Sequence, residues 1–101
     1  RMRILLVCNA GMSTGIMQLK LEEEAQKVGV EASIEAIPIS DIEKNLNGTD
    51  AILLGPQVRF AEKDIKKMVK DTIPVMVIEV QDFGMMRADH VWSKLQAKMK
   101  G

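Results

Sequence analysis

The chain has 101 residues and no net charge, with 14 lysines and arginines against 14 aspartates and glutamates. This length fits one domain, and we predict a single domain over residues 1–101. Balanced charge and an aromatic content of 3% exclude the basic, aromatic-rich surface of a nucleic-acid-binding domain. One cysteine cannot form an internal disulfide, and no segment approaches the ~20 apolar residues of a membrane span. We therefore predict a cytoplasmic location without direct membrane insertion.

The first half of the chain predicts two strands and two helices. A short apolar run over 3–7 predicts a buried strand, and helical spacing over 13–28 predicts a helix. The apolar face of that helix comprises Met17, Leu21, Ala25 and Val28. Polar and apolar side chains alternate over 31–37, which predicts a strand at a sheet edge. Ser40-Asp41-Ile42-Glu43 has the sequence of a capping box and predicts a short helix to about Leu46.

The second half repeats this alternation of strand and helix. Residues 51–55 are continuously apolar, as expected of a central parallel strand. Helical spacing over 58–70 predicts a surface helix with the buried positions Val58, Ala61, Ile65, Met68 and Val69. Residues 75–80 predict a fourth strand, and Asp82-Phe83-Gly84 predicts a turn. A last helix follows, with the apolar residues Ala88, Val91, Trp92, Leu95 and Met99.

Strands that alternate with helices predict an α/β fold. We expect a three-layer sandwich around a four-stranded parallel sheet of order 2-1-3-4, which is flavodoxin-like. In this order the loops after the first and third strands flank one crevice. The supporting loop Pro56-Gln57 should therefore lie near Cys8, which ends the first strand.

Cys8 stands at the predicted strand-to-helix turn, where a thiol can act as a nucleophile facing a phosphate. The candidate phosphate-binding residues are Asn9, Ala10, Gly11, Met12, Ser13, Thr14 and Gly15. Gly11 and Gly15 permit left-handed backbone angles and close approach to an anion. Ser13 and Thr14 are expected either to donate hydroxyl groups or to cap the helix.

The acidity of Cys8 should depend on the same turn. A helix N-terminus and loop amides favour thiolate, and no lysine, arginine or histidine occurs over 9–17. We therefore predict a moderately lowered pKa for Cys8. A pKa at or above the ordinary value would instead mean that Cys8 is buried away from the field of the loop, which would contradict the proposed site geometry. We predict no metal site and no cofactor.

The single histidine and a group of methionines are two further candidates for function. The sole histidine, His90, falls on the predicted last helix and is interpreted as a solvated surface residue. Three of the eight methionines, Met12, Met85 and Met86, are candidates for a partner surface, although Met85 and Met86 fit the core equally well.

The loop resembles that of low-molecular-weight tyrosine phosphatases, whose pattern is cysteine, five residues, arginine, then serine or threonine. Thr14 stands where that arginine would be, so the guanidinium that clamps the phosphoryl group is missing. No aspartate precedes a proline to match the general acid of that family. A stand-alone cysteine phosphatase is therefore the alternative, and the residues favour a site that accepts and passes on phosphate.

A more specific resemblance covers essentially the whole chain. Cys8-Asn9-Ala10-Gly11-Met12-Ser13-Thr14 matches every fixed position of the pattern Cys-x-x-Gly-Met-Ser-Thr, and Leu53-Leu54-Gly55-Pro56-Gln57-Val58 is independent support. Together these segments resemble the IIB component of the lactose/cellobiose (chitobiose) class of the bacterial phosphoenolpyruvate-dependent sugar phosphotransferase system.

This resemblance implies a phosphotransferase. Such a IIB component takes a phosphoryl group from a phosphohistidine on its IIA partner. It then passes the group to a sugar imported by the membrane component IIC, which implies transient contact with the inner face of the membrane. Cys8 matches the phosphorylated cysteine, residues 9–15 match the phosphate loop, and Gln57 matches a neighbouring loop. The sugar is expected to be a β-linked disaccharide such as cellobiose, chitobiose or lactose.

Overall fold

The computed structural model describes residues 1–9 and 12–100, without the side chains of Met12 and Ser13. Its sheet has four strands, β1 Met2–Val7, β2 Ala32–Ile37, β3 Ala51–Leu54 and β4 Val75–Val77. All neighbouring pairs are parallel, in the order β2-β1-β3-β4. The predicted fold class and strand order are confirmed, and β2 lies at the edge as expected.

Helices cover both faces of the sheet. They are α1 Met12–Lys27, α2 Glu62–Val69, α3 Val80–Gly84 and α4 Ala88–Lys100. Three 3-10 helices occupy connections, at Ile39–Asp41, Glu43–Asn45 and Pro56–Ala61. Among the described residues, no helix has the length and apolar character needed to cross a bilayer.

The central strands are buried on both faces, which is why their sequences are continuously apolar. In β1, Ile4 and Leu6 pack in a core with residues of α1 and α4, while Leu5 and Val7 pack in a second core with residues of α2. All four side chains are fully buried. Each contributes about 1.5–3 kcal/mol of transfer free energy, so burial on both faces of the sheet holds β1 in place.

Two positions predicted to be buried on helices are exposed. Val28 is 62% exposed because α1 ends at Lys27, one residue before it. The stop at Gly29 is confirmed, with a left-handed φ of 73°. Met68 of α2 is 38% exposed, whereas Ile65 and Val69 are buried as predicted.

The predicted capping box is wrong. Residues 39–45 form two 3-10 helices, and neither has a side-chain capping hydrogen bond. The Asn45 side chain instead donates to the backbone oxygen of Asp41 at 2.8 Å, and the hydroxyl of Thr49 donates to the backbone oxygen of Asn45 at 2.6 Å. These contacts hold a compact connection in place of a regular helix.

The end of the fourth strand also differs from the prediction. Residues 78–80 were expected to be strand and Asp82-Phe83-Gly84 a turn, but β4 ends at Val77 and α3 contains all three of the latter. The reason is that the partner strand β3 ends at Leu54. The backbone amide of Ile78 donates to the oxygen of Leu54 at 2.8 Å, which leaves Glu79 and Val80 without a strand to pair with.

Candidate active site

Cys8 is fixed by the two strands on either side of β1. Its backbone amide donates to the oxygen of Ile37 at 3.2 Å, and the amide of Gly55 donates to the oxygen of Val7 at 2.8 Å. The side chain of Cys8 is only 2% exposed. Backbone hydrogen bonds to both neighbouring strands therefore position the thiol at the carboxyl edge of the sheet.

Thr14 is the partner of the thiol. The Sγ of Cys8 lies 2.9 Å from the Oγ1 of Thr14, and either atom can be the donor. Thr14 is the third residue of α1 and is buried, so its hydroxyl serves the sulfur and is not an N-cap. The contact joins the end of β1 to the first turn of α1.

A cavity of about 310 Å³ opens beside this pair. Two parts of the chain provide its described lining. Cys8, Asn9, Thr14 and Gly15 come from the end of β1 and the start of α1, and Ala36, Ile37 and Pro38 come from the end of β2. No cationic side chain lines it within the described ranges. The thiol thus faces a space that can hold more than a phosphoryl group, between a polar wall and an apolar wall.

The predicted lowering of the Cys8 pKa is wrong. Burial raises the pKa of the Cys8 thiol, because desolvation disfavours the thiolate, and the hydrogen bond with Thr14 opposes the rise only in part. The raised pKa therefore counts against the predicted site, in which the thiol lies in the field of the loop amides. The support for the site is geometric, since Cys8 contacts the first turn of α1 and lines the cavity.

Gly55 brings the third strand close to the thiol. A Cβ placed on Gly55 would stand 2.9 Å from the Cβ of Cys8 and 2.5 Å from the Oε1 of Gln57. Gly55 has an ordinary φ of −62°, so the need for glycine is one of space. The structure thus brings Gln57 close to Cys8 across Gly55.

Pro56 lies on the other side of this loop. It lines a larger cavity of about 510 Å³ with Arg59 and residues 77–81. This cavity contains both Arg59 and Glu79 but not the thiol. Its greater volume therefore does not make it the better reaction site.

The other residues of the predicted phosphate loop are only partly described by the structure. Ala10 and Gly11 lie outside the described residues, as do the side chains of Met12 and Ser13. Asn9 is exposed at the cavity. Gly15 does not use the left-handed φ that glycine permits, because it lies within α1; the left-handed glycines described are Gly29 and Gly48.

His90 and the distal methionines are placed away from the thiol cavity. His90 lies on α4, half exposed, with its Nδ1 3.4 Å from the Oδ1 of Asp82. Met85 is 64% exposed, while Met86 is partly buried against the core. Neither methionine lines the cavity beside Cys8.

Sequence reasoning missed the apolar wall of the cavity, formed by Ala36, Ile37 and Pro38. The signal was present in the predicted strand order, since parallel neighbours end at the same edge of a sheet. The second strand therefore had to end beside Cys8. Sequence reasoning also gave no role to Gly55. That role depends on the distance between two strand ends, which the sequence does not show.

The fold and the site define a flavodoxin-like α/β domain with a single buried thiol at the carboxyl edge of its sheet. The family described as "PTS system, Lactose/Cellobiose specific IIB subunit" matches residues 3–94. The chain is 40% identical over 94 residues to the galactose-specific EIIB component of Lactococcus lactis subsp. cremoris (strain MG1363), covering 87% of each chain. It is 37% identical over 84 residues to the oligo-beta-mannoside-specific EIIB component of Bacillus subtilis (strain 168), covering 82% of each.

Solved structures agree with this relationship. The cellobiose-specific IIB component of Borrelia burgdorferi superposes with a TM-score of 0.73 at 36% identity, covering 98% of this chain and 89% of that one. The lactose-specific IIB domain of Streptococcus pneumoniae superposes with a TM-score of 0.84 at 14% identity, covering 96% of each, which is a likeness of fold. The chain belongs to the lactose/cellobiose-specific IIB family of the sugar phosphotransferase system and has the phosphotransferase role of that family.

Proposed function

We propose that Cys8 carries the phosphoryl group, accepting it from a phosphohistidine on a IIA partner and passing it to a sugar imported by IIC. The observation that carries this proposal is the position of the Cys8 Sγ, which lines the cavity and lies 2.9 Å from the Thr14 hydroxyl. Cys8 is also the single thiol of the chain. A protein of this kind works in the cytoplasm and at the inner face of the membrane while it is bound to IIC.

The transfer balances with a neutral thiol. The sulfur attacks phosphorus, the S–P bond forms and the P–N bond of the phosphohistidine breaks. The proton of the thiol ends on the released imidazole nitrogen. A raised pKa of Cys8 is compatible with this step, because the leaving imidazole supplies the base that the site lacks. In the second step a sugar hydroxyl attacks phosphorus, the O–P bond forms and the S–P bond breaks, and the hydroxyl proton ends on the Cys8 sulfur, which regenerates the thiol.

We propose that the loop over 9–15 binds the phosphoryl oxygens through backbone amides, with the Thr14 hydroxyl as a further donor. Donors that are already oriented stabilise a phosphoryl dianion without reorganisation at the moment of transfer. The first turn of α1 holds the Thr14 hydroxyl in such a fixed orientation, beside the Cys8 sulfur. Gln57 reaches the same region from the loop after β3, and we propose a supporting contact for it.

For the sugar, we propose a carbohydrate of the class named for the relatives. Those names specify galactose, cellobiose and oligo-beta-mannoside. A β-linked disaccharide such as cellobiose, chitobiose or lactose is our candidate. Membrane vesicles containing the matching IIC, supplied with each sugar in turn, should form the sugar phosphate only when phosphorylated protein and the correct sugar are both present.

Transfer to Cys8 is tested directly by intact mass. The protein is incubated with phosphoenolpyruvate, the general phosphotransfer proteins and a matching IIA. We expect a gain of one phosphoryl group in the wild type and in His90→Ala, and none in Cys8→Ser. A phosphorylated Cys8→Ser protein, or a His90→Ala protein that stays unmodified, would overturn the assignment.

A further inference from the structure

Gly15 is a glycine that its own fold does not require. It lies inside α1, where glycine is less favourable than alanine, and its φ is not left-handed. A Cβ built on Gly15 has no neighbouring atom within 4 Å beyond its chain neighbours and the backbone of its own helix. Neither backbone conformation nor packing among the described residues explains a missing side chain here.

The position of Gly15 supplies an explanation. Gly15 is exposed and lines the cavity beside Cys8, and Ala36, Ile37 and Pro38 line the same cavity. Cys8 is only 2% exposed, and this cavity is the approach to its sulfur that the described residues provide. A side chain at residue 15 would stand at that opening.

The geometry of phosphoryl transfer requires space on the far side of the phosphoryl group. Displacement at phosphorus is roughly in line, so the leaving nitrogen of a donor lies on the side of phosphorus away from the Cys8 Sγ. An attacking sugar hydroxyl later approaches from that same side. The space beyond the phosphoryl group must therefore admit each partner in turn, and a cavity of about 310 Å³ provides that room.

We propose that Gly15 determines access to Cys8, by leaving the cavity open for the imidazole ring of the donor phosphohistidine. This inference rests on the proposed function. The apolar wall suits the carbon edge of an imidazole ring, because it offers no side-chain hydrogen bond that a sugar hydroxyl would need. Gly15 is thus a positioning residue that acts through the space it leaves.

The test uses Gly15→Leu and Gly15→Ala, with Gly84→Leu as the matched control. Gly84 is also exposed within a helix, has no left-handed φ, and leaves a built Cβ without a neighbour within 4 Å. Gly84 does not line the cavity. Thermal unfolding followed by circular dichroism verifies that each variant is folded.

The first readout needs no partner protein. Cys8 is alkylated with iodoacetamide and with the bulkier N-phenylmaleimide, and the rates are followed by intact mass. We expect Gly15→Leu to slow the maleimide by about tenfold or more and iodoacetamide by less, and Gly15→Ala to slow the maleimide by a smaller factor, while Gly84→Leu reacts like the wild type. Folded Gly15→Leu that reacts at the wild-type rate with both reagents, or Gly84→Leu slowed equally, would overturn the proposal.

The second readout is the rate of phosphoryl transfer from phosphorylated IIA, which should fall by about tenfold to a hundredfold in Gly15→Leu. If the wild type itself accepts no phosphoryl group, the proposed function fails while alkylation still tests access. Ala36→Leu, on the facing wall, provides a second variant in case Gly15→Leu does not fold. It should slow both reactions in the same way, and its failure to do so would contradict the proposal.

Discussion

At the scale of single residues, burial sets the direction of the Cys8 pKa and the hydrogen bond with Thr14 partly offsets it. Burial raises the pKa of Cys8 and this bond lowers it. Thr14→Val removes the hydroxyl at nearly constant volume, so the pKa of Cys8 should rise further and alkylation at neutral pH should slow. The pH dependence of the alkylation rate measures this. Thr14→Ser keeps a hydroxyl and is the control; an unchanged profile in Thr14→Val would show that the bond is absent in solution.

Gly55 is the residue on which close approach of two strand ends depends. In Gly55→Ala the new Cβ would stand 2.9 Å from the Cβ of Cys8, a rigid neighbour that cannot rotate away. We expect the free energy of unfolding to fall by about 1–3 kcal/mol, as in other overpacked sites. Gly15→Ala makes no such contact and should instead raise it by roughly 0.5–1 kcal/mol. Urea unfolding of both variants tests the contrast, and equal effects would contradict it.

At the scale of elements, an ion-pair cluster joins α3 to α4. The Nζ of Lys94 lies 2.8 Å from the Oδ2 of Asp82 and 2.9 Å from the Oε1 of Glu79, and His90 lies on the other oxygen of Asp82. The Asp82 side chain is 6% exposed, so it depends on these partners for its charge. The hydrogen bond from Lys94 is the main cause that lowers the pKa of Asp82.

A lowered pKa in the folded state has a defined consequence for stability. Asp82 stabilises the fold above its unfolded pKa of about 3.9, and that contribution is lost as pH falls through the lower folded pKa. Lys94→Met should therefore unfold at a higher pH in an acid titration than the wild type does. Lys98→Met, on the same helix and without an ion pair within the described residues, is the control. Coincident titrations of all three proteins would contradict the prediction.

The elements also show what sequence could and could not predict. Continuous apolar runs and the alternation over 31–37 predicted four strands, because burial on one or two faces leaves a direct pattern. The order was chosen from the few that right-handed crossovers allow, and it is confirmed. The end of β4 at Val77 was missed because it depends on where β3 stops. The capping box failed in a connection that is also held from a distant part of the chain. The guanidinium of Arg3 on β1 donates to the backbone oxygens of Asn45 and Asn47, and local sequence does not specify these contacts.

At the scale of the whole molecule, the site is where three strand ends meet. The sequence motif predicted the contribution of β1 and its following turn, and the order of the strands brought the loop of Gln57 towards Cys8. The acidity of Cys8 was mispredicted because the motif does not show how deeply the completed fold buries the sulfur. The apolar wall from β2 follows from the topology and has no motif of its own.

The distribution of cations over the whole molecule supports a last prediction, that the phosphorylated protein resists hydrolysis. Among the described residues, no cationic side chain lines the cavity beside Cys8. The guanidinium of Arg3 is held by Glu35 near the opposite end of β1, and Arg59 lines the other cavity. Water that attacks the phosphocysteine would therefore lack the cationic clamp that stabilises the transition state in phosphatases, where such electrostatic groups contribute several kcal/mol.

The phosphorylated wild type should keep its added mass in buffer, and should lose it promptly when IIC and a matching sugar are supplied. The isolated protein should hydrolyse p-nitrophenyl phosphate no faster than Cys8→Ser does, with a low-molecular-weight phosphatase as positive control. Turnover that requires Cys8 would favour the phosphatase alternative over the carrier. We expect slow hydrolysis because the apolar wall of Ala36, Ile37 and Pro38 holds no side-chain base to activate water beside the sulfur. The acceptor must then bring its own nucleophile and activating partner, which makes transfer depend on the correct complex.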